Sequence, residues 1–185
     1  MATNNNSANV SVGKPKAGGA VYWAPIDTAA PTDASTPLTD AYLNVGFVSD
    51  AGVTFTTSVD SSSHSAWGGV EVANDVTAYS ETVGFDMIEC SVNALKLAFG
   101  SEAVTAPDGK VTAVKHTVEA FKTECVLVVE TLVGASSVRR TVVPRAKLIE
   151  RGDIVYKDDE LVMYPVKLAC LDSDGASSND YYAEV

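Results

Sequence analysis

The residues best able to do chemistry stand in the stretch GDIVYKDDELVMYPVKLACLDSDG, residues 152 to 175. Asp158, Asp159 and Glu160 are three consecutive acids, which could pair as general acid and base or hold a metal. Paired catalytic carboxylates need rigid supports around a cleft and environments that separate their pKa values. Here the acids sit between Ile154-Val155-Tyr156 and a run in which Val162, Tyr164, Val166 and Leu168 share one face. Both flanks read as strands, and Asp favours turns because its side chain bonds nearby backbone amides. The expectation is therefore a hairpin tip at Asp158, Asp159 and Glu160. Asp172-Ser173-Asp174-Gly175 opens like a calcium loop, but Ala, Ser, Ser and Asn follow where such a loop needs its later acid, so it reads as a turn. His64 and His116 lie in polar surroundings without a nucleophile motif, and Ser61, Ser62 and Ser63 lack the GxSxG context. Cys90, Cys125 and Cys170 show no CxxC spacing and read as buried, reduced thiols. The sequence predicts no catalytic centre, metal site or cofactor.

The elements that must position these residues are mostly strands. Val53 and Phe55 alternate with Thr54 and Thr56, Val70 and Val72 with Glu71, and Val83, Phe85 and Met87 with Gly84 and Asp86, the period that gives a strand one buried face. Turn signals recur at 49–52, 107–110, 134–137, 150–153, 157–160 and 172–175, so the pattern predicts an antiparallel β-sandwich or barrel. ECVLVVETLVG-ASS-VRRTVV reads as a hairpin whose apolar Val126–Val129 core places that strand centrally. Ile88, Val92, Leu95 and Phe99 form a helical stripe ended by Gly100, which predicts one flanking helix at about 88–99. Residues 1–17 read as a flexible polar arm, 18–185 as a single β domain, and the Pro-rich 30–40 as a surface loop. Pro165 cannot donate to a ladder, which predicts a strand that lies at an edge or carries a bulge there; at an edge, Val162, Tyr164, Pro165 and Val166 would be covered by a loop or the N-terminal arm, or would pair with another subunit.

Charge narrows the partners. With 13 Lys+Arg against 24 Asp+Glu, the net charge of −11 argues against a partner held through phosphate contacts, nucleic acid or an anionic membrane. The one adjacent pair of cations, Arg139-Arg140, lies inside a strand pattern. The start, MATNNNSANV, has neither the basic nor the apolar region of an export signal, so synthesis and folding in a cytoplasm are expected.

VGKPKAGGAVYWAPIDTAAPTDASTPL, NVGFVSDAGVTFT, AWGG and GDIVYKDDELVMYPVKLACLDSDG occur in that order along nearly the whole chain, from about Val12 to Tyr182. Together they resemble the major tail proteins of long-tailed, non-contractile bacteriophages, the tail tube subunits. The resemblance implies a structural virion protein made in the host cytoplasm, with a tail-tube-like β-sandwich and a flanking helix. It implies homo-hexameric rings stacked into a tube around a tape-measure protein, with tail-tip and tail-terminator partners and double-stranded DNA passing through without specific binding. By position, Thr57, Ser58, Val59, Asp60, Ser61, Ser62, Ser63, His64, Ser65, Ala66 and Trp67 would be a loop joining ring to ring, disordered until it meets a neighbour. An acidic lumen would repel phosphate and let DNA slide. A secretion tube, a capsid decoration protein and an Ig-like adhesion module are the alternative structural readings.

Overall fold

The computed structural model describes residues 5, 10–134 and 137–184, so most of the expected 1–17 arm (1–4 and 6–9) and the apex of the 134–137 turn lie outside the described residues. The chain is mainly β, an antiparallel sandwich with one helix. Its strands are β1 (Lys14–Pro15), β2 (Val21–Pro25), β3 (Leu43–Asn44), β4 (Val48–Ser65), β5 (Glu71–Met87), β6 (Val104–Thr105), β7 (Ala113–Val114), β8 (Glu124–Val133), β9 (Ser137–Arg151), β10 (Tyr164–Cys170) and β11 (Asn179–Glu184). Nine of them form one sheet in the order β3-β2-β8-β9-β10-β5-β4, with β1 beside β8 and β11 beside β9; β6 and β7 make a separate small ladder.

The apolar run predicted to be central is central: β8 lies between β2 and β9, and Cys125 to Glu130 are buried. It is covered on both faces. One face joins the main core with Val21, Trp23, Val83, Phe85, Met87, Val143 and Leu168, together with the helix. On the other, Val126, Val128 and Val142 pack under Ala24, Tyr42 and Leu38.

β9 holds the two halves of the sheet together. Its pairing with β11 ends at Val142 and its pairing with β10 starts at Ala146. Between them stands Pro144, where the register with β8 also shifts, between Cys125 and Leu127. A residue with no N–H is tolerated where a strand bulges and changes neighbours.

The helix, α1, spans Val92–Phe99. It is shorter than the predicted 88–99 because Ser91 takes the N-cap position, its hydroxyl accepting from the Ala94 N–H at 3.2 Å. Ile88, which fits the helical period, instead donates its backbone N–H to Phe47 beyond the end of β5. Gly100, with φ of 97°, ends the helix as expected. Ala94, Leu95, Leu97, Ala98 and Phe99 are buried, and the Trp23 indole N–H donates to the Asn93 carbonyl at 3.1 Å.

β10 is not an edge strand, contrary to the expectation from Pro165. It lies between β9 and β5, with Tyr164 opposite Met87, Pro165 opposite Asp86 and Val166 opposite Phe85; Val162 precedes the strand. The Pro165 carbonyl accepts from Gly152 N–H, so the side on which this residue lacks a donor faces the β9 side just past that strand's last residue, Arg151. Proline needs only that one local gap. The expectation that Val162, Tyr164, Pro165 and Val166 pair with another subunit is therefore withdrawn.

Candidate functional site

Beyond the body of the sheet, β4 and β5 run on together as a two-stranded arm. From Thr56 to Ser80 every residue is exposed, although both strands keep their ladder as far as Ser65 and Glu71. The Ser58–Ser65 strand alone carries the arm about 26 Å. Thr57 to Ser65, expected as a loop, are strand, and Ala66 and Trp67 begin the turn. The turn is closed by Ala66 N–H to the Val70 carbonyl at 2.8 Å and by Gly69 N–H to the Ala66 carbonyl at 3.0 Å. Gly68 (φ 108°) and Gly69 (φ 87°) supply the left-handed conformations this reversal requires.

The arm's two faces differ. Residues opposite each other in an antiparallel pair share a face. Val53 lies opposite Phe85, Phe55 opposite Val83, Thr57 opposite Glu81, Val59 opposite Tyr79 and Ser61 opposite Val76, where the register shifts after Asp60. The face that buries Val83 and Phe85 within the body thus continues outward as Val59, Tyr79 and Val76, all more than half exposed. The other face carries Thr56, Ser58, Asp60, Ser62 and His64, opposed by Thr82, Ser80, Ala78, Asp75 and Ala73. His64 Nε2 lies 3.5 Å from an Asp75 carboxylate oxygen, and both side chains are in water. Beyond the polar Thr57–Glu81 pair this face is an exposed apolar patch, of the kind that marks contact sites on protein surfaces.

Asp158, Asp159 and Glu160 sit on an exposed turn in the 152–163 loop joining β9 to β10. Lys157 Nζ donates to Glu160 Oε1 at 2.8 Å. The flanking Ile154, Val155 and Tyr156, expected as strand, have no partner strand; Ile154 packs on the core while Val155, Tyr156 and Leu161 are exposed. Asp172 to Gly175 form a turn, with Ser173 bridged to Ala176 and Asp174 at φ 55°. Among the described residues no group of three potential metal ligands converges. Cys125 and Cys170 are buried, and burial pushes both thiols up to about 12, helped by Glu124 and Glu81 respectively. Cys90, expected to be buried, is exposed, with Tyr164 Oη donating to its Sγ at 3.6 Å.

Sequence reasoning missed the charged group inside the body. Arg140 and Glu130 are 1% and 2% exposed. Arg140 Nε donates to Glu130 Oε1 at 2.8 Å, and its Nη1 donates to the Asp33 and Thr36 carbonyls at 2.7 and 2.9 Å. Lys16 Nζ pairs with the other Glu130 oxygen at 2.8 Å. The predicted surface loop at 30–40 is thereby strapped onto the second face of β8 and β9. The Asp33 carboxylate organises that loop, accepting from the Thr36 and Ser35 N–H groups and hydroxyls, and these bonds hold its pKa well below the usual carboxylate range.

The profile of the phage tail tube protein family matches residues 1–184. No curated protein sequence matches the chain. Among solved structures, one similar fold is a chain described as "Cryo-EM structure of the anti-feeding prophage cap (AFP tube terminating cap)". It has 10% identity and a TM-score of 0.42, with 94% of this chain and 95% of that chain covered.

Proposed function

The chain belongs to the phage tail tube protein family, and from that premise we propose that it stacks as rings, six copies to a ring, into the tube through which the genome leaves the virion. Membership of the family makes it a structural tail protein that associates with itself and with other tail components. The β4–β5 arm is the bridge between rings. The observation that carries this reading is the apolar face Val59–Val76–Tyr79, which continues the core stripe of Val83 and Phe85 into solvent. Tape-measure, tail-tip and tail-terminator proteins are its partners in the tail. DNA passes without being held, since a chain of net charge −11 repels phosphate.

Negative-stain electron microscopy and light scattering on the concentrated full chain test the proposal. Hollow tubes built of rings are expected, at first in company with the tail initiator if nucleation is slow. Particles that remain 19.3 kDa monomers even with the initiator present would overturn it.

A further inference from the structure

The chain enters the body through a short strap held at one charged point. β1 has two ladder residues, Lys14 opposite Leu132 and Pro15 opposite Thr131, and Pro15 brings no N–H. Both are exposed, as are residues 10–13 before them. Past the ladder, Lys16 ties the strap to Glu130 of β8. Its N–H donates to the Glu130 carbonyl at 3.3 Å, and its Nζ meets a carboxylate oxygen at 2.8 Å. After Ala17, Gly18 (φ 92°) and Gly19 (φ 146°) turn the chain toward β2. A Cβ on Gly19 would stand 2.3 Å from Asn44 Nδ2, so this turn is built for glycine and can serve as a hinge.

Glu130 is also the point through which a second segment is held, since Arg140 bonds its other oxygen and reaches the 30–40 loop with Nη1. Two cations thus serve one buried carboxylate, and they are not equivalent. Arg140 is buried and makes four hydrogen bonds. The Lys16 side chain is 39% exposed and makes a single contact. Arg140 alone neutralises Glu130, so Lys16 can leave without stranding a buried charge, the loss that makes breaking such a pair expensive. Its departure changes the access of water instead. An uncovered carboxylate is hydrated, and that weakens the charge-assisted bonds that aim Arg140 at the loop carbonyls.

We propose that residues 14–17 form a releasable strap, latched by Lys16 on Glu130, whose opening loosens the 30–40 loop through Arg140 and bares the β8 edge at Thr131 and Leu132. Closed, the strap keeps that stretch of backbone from pairing with another chain. The coupling is reciprocal, so whatever lifts the loop also weakens the hold on the strap. Strap and loop lie on different sides of the ion group and touch it through different atoms, Glu130 Oε2 and Arg140 Nη1. The latch is a property of the single chain and does not depend on the tube reading.

The test uses the full-length chain in a Cys90→Ser background carrying Ala34→Cys, a buried position in the loop. A thiol-specific reagent then labels the introduced thiol only when the loop opens. Adding Lys16→Met should speed that labelling at least about 5-fold, the low end of measured couplings between sites. Lys16→Arg, which keeps the charge, should stay near the parent rate, and so should Lys14→Met on the same strap. Exchange of the residue-16 amide should accelerate with Lys16→Met, and by a matching factor with Asp33→Asn, which slackens the loop. Without the added thiol, exchange of the Thr36 N–H gives the same readout for Lys16→Met. Buried Cys125 and Cys170 should stay unlabelled throughout. A faster residue-16 amide with loop labelling at the parent rate would overturn the coupling, and no change in either would overturn the latch. Labelling of all three thiols together would show global unfolding and overturn both.

Discussion

The body and the arm share two strands, β4 and β5, yet they keep their polar and apolar groups in opposite places. Inside the body, Glu130 and Arg140 are buried with a partner for each charge, while apolar Val83 and Phe85 are sealed from water. On the arm, Val59, Val76 and Tyr79 lie in solvent beside Ser, Asp and His side chains. The body is a finished fold, whereas the arm, in the proposed tube, is half of a contact. Stability should therefore reside in one region and association in the other.

The largest effect should come from breaking the buried ion group. Arg140→Ala strands the Glu130 charge, leaves Lys16 as its only partner and releases the Asp33 and Thr36 carbonyls. Losing one partner of such a pair costs about 3–5 kcal/mol. Urea unfolding should show this as a lower midpoint, and a change below about 1 kcal/mol would mean that the loop is held by its apolar contacts instead. Cutting the arm should do much less to the body. Joining Thr57 to Glu81 through Asn-Gly keeps Val53–Phe85 and Phe55–Val83 and supplies a two-residue turn. The shortened chain is expected to stay within about 1 kcal/mol of the full one, since it loses only exposed side chains. It should no longer assemble. A shortened chain that unfolds would show that the arm nucleates β5 against β10, and the contrast between the regions would fail.

The smallest effect is a pH dependence. Glu124 is held below its ordinary pKa chiefly by hydrogen bonds from Arg145, at 3.0 Å from Nε and 3.2 Å from Nη2, and Asp33 is held down by its loop amides. Carboxyls depressed in the folded state bind fewer protons than in the unfolded chain, so they stabilise it above their unfolded values near 4. That contribution drains as pH falls through the unfolded values toward the folded ones. Unfolding midpoints should drop below about pH 4.5, and Asp33→Asn should flatten the slope. An unchanged slope would place the acid sensitivity in other carboxyls.

Much of this fold was legible because its periods are local. Alternation at 53–56 and 83–87 marked strands, and the apolar run in β8 marked its central place. The arm was readable only in part. Its apolar face depends on which residue opposes which, and the register shift after Asp60 exchanges partners in a way alternation does not reveal. Pro165 misled because a missing donor says only that one side of one residue is unpaired. Ile154 to Tyr156 misled because β-propensity reports fit to a neighbour that these residues lack. The Glu130–Arg140 pair was hidden by register. The expected loop at 135–137 would set Glu130 opposite Val142, whereas the ladder sets it opposite Arg140. The loop they anchor lies about a hundred residues away in sequence, and no spacing rule points to it.

The continuity of β5 from arm to body also has a mechanical meaning. A load applied at the tip runs along the strand axis into Glu81–Met87, which pair with Cys170–Tyr164 through seven consecutive positions. Pulled lengthwise, those pairs share the force and must slip together; they cannot be opened one by one from an end. The arm is thus mounted in shear, the geometry in which a hydrogen-bonded ladder resists most, and in the proposed stack bending or stretching would be borne by the body's interior strands.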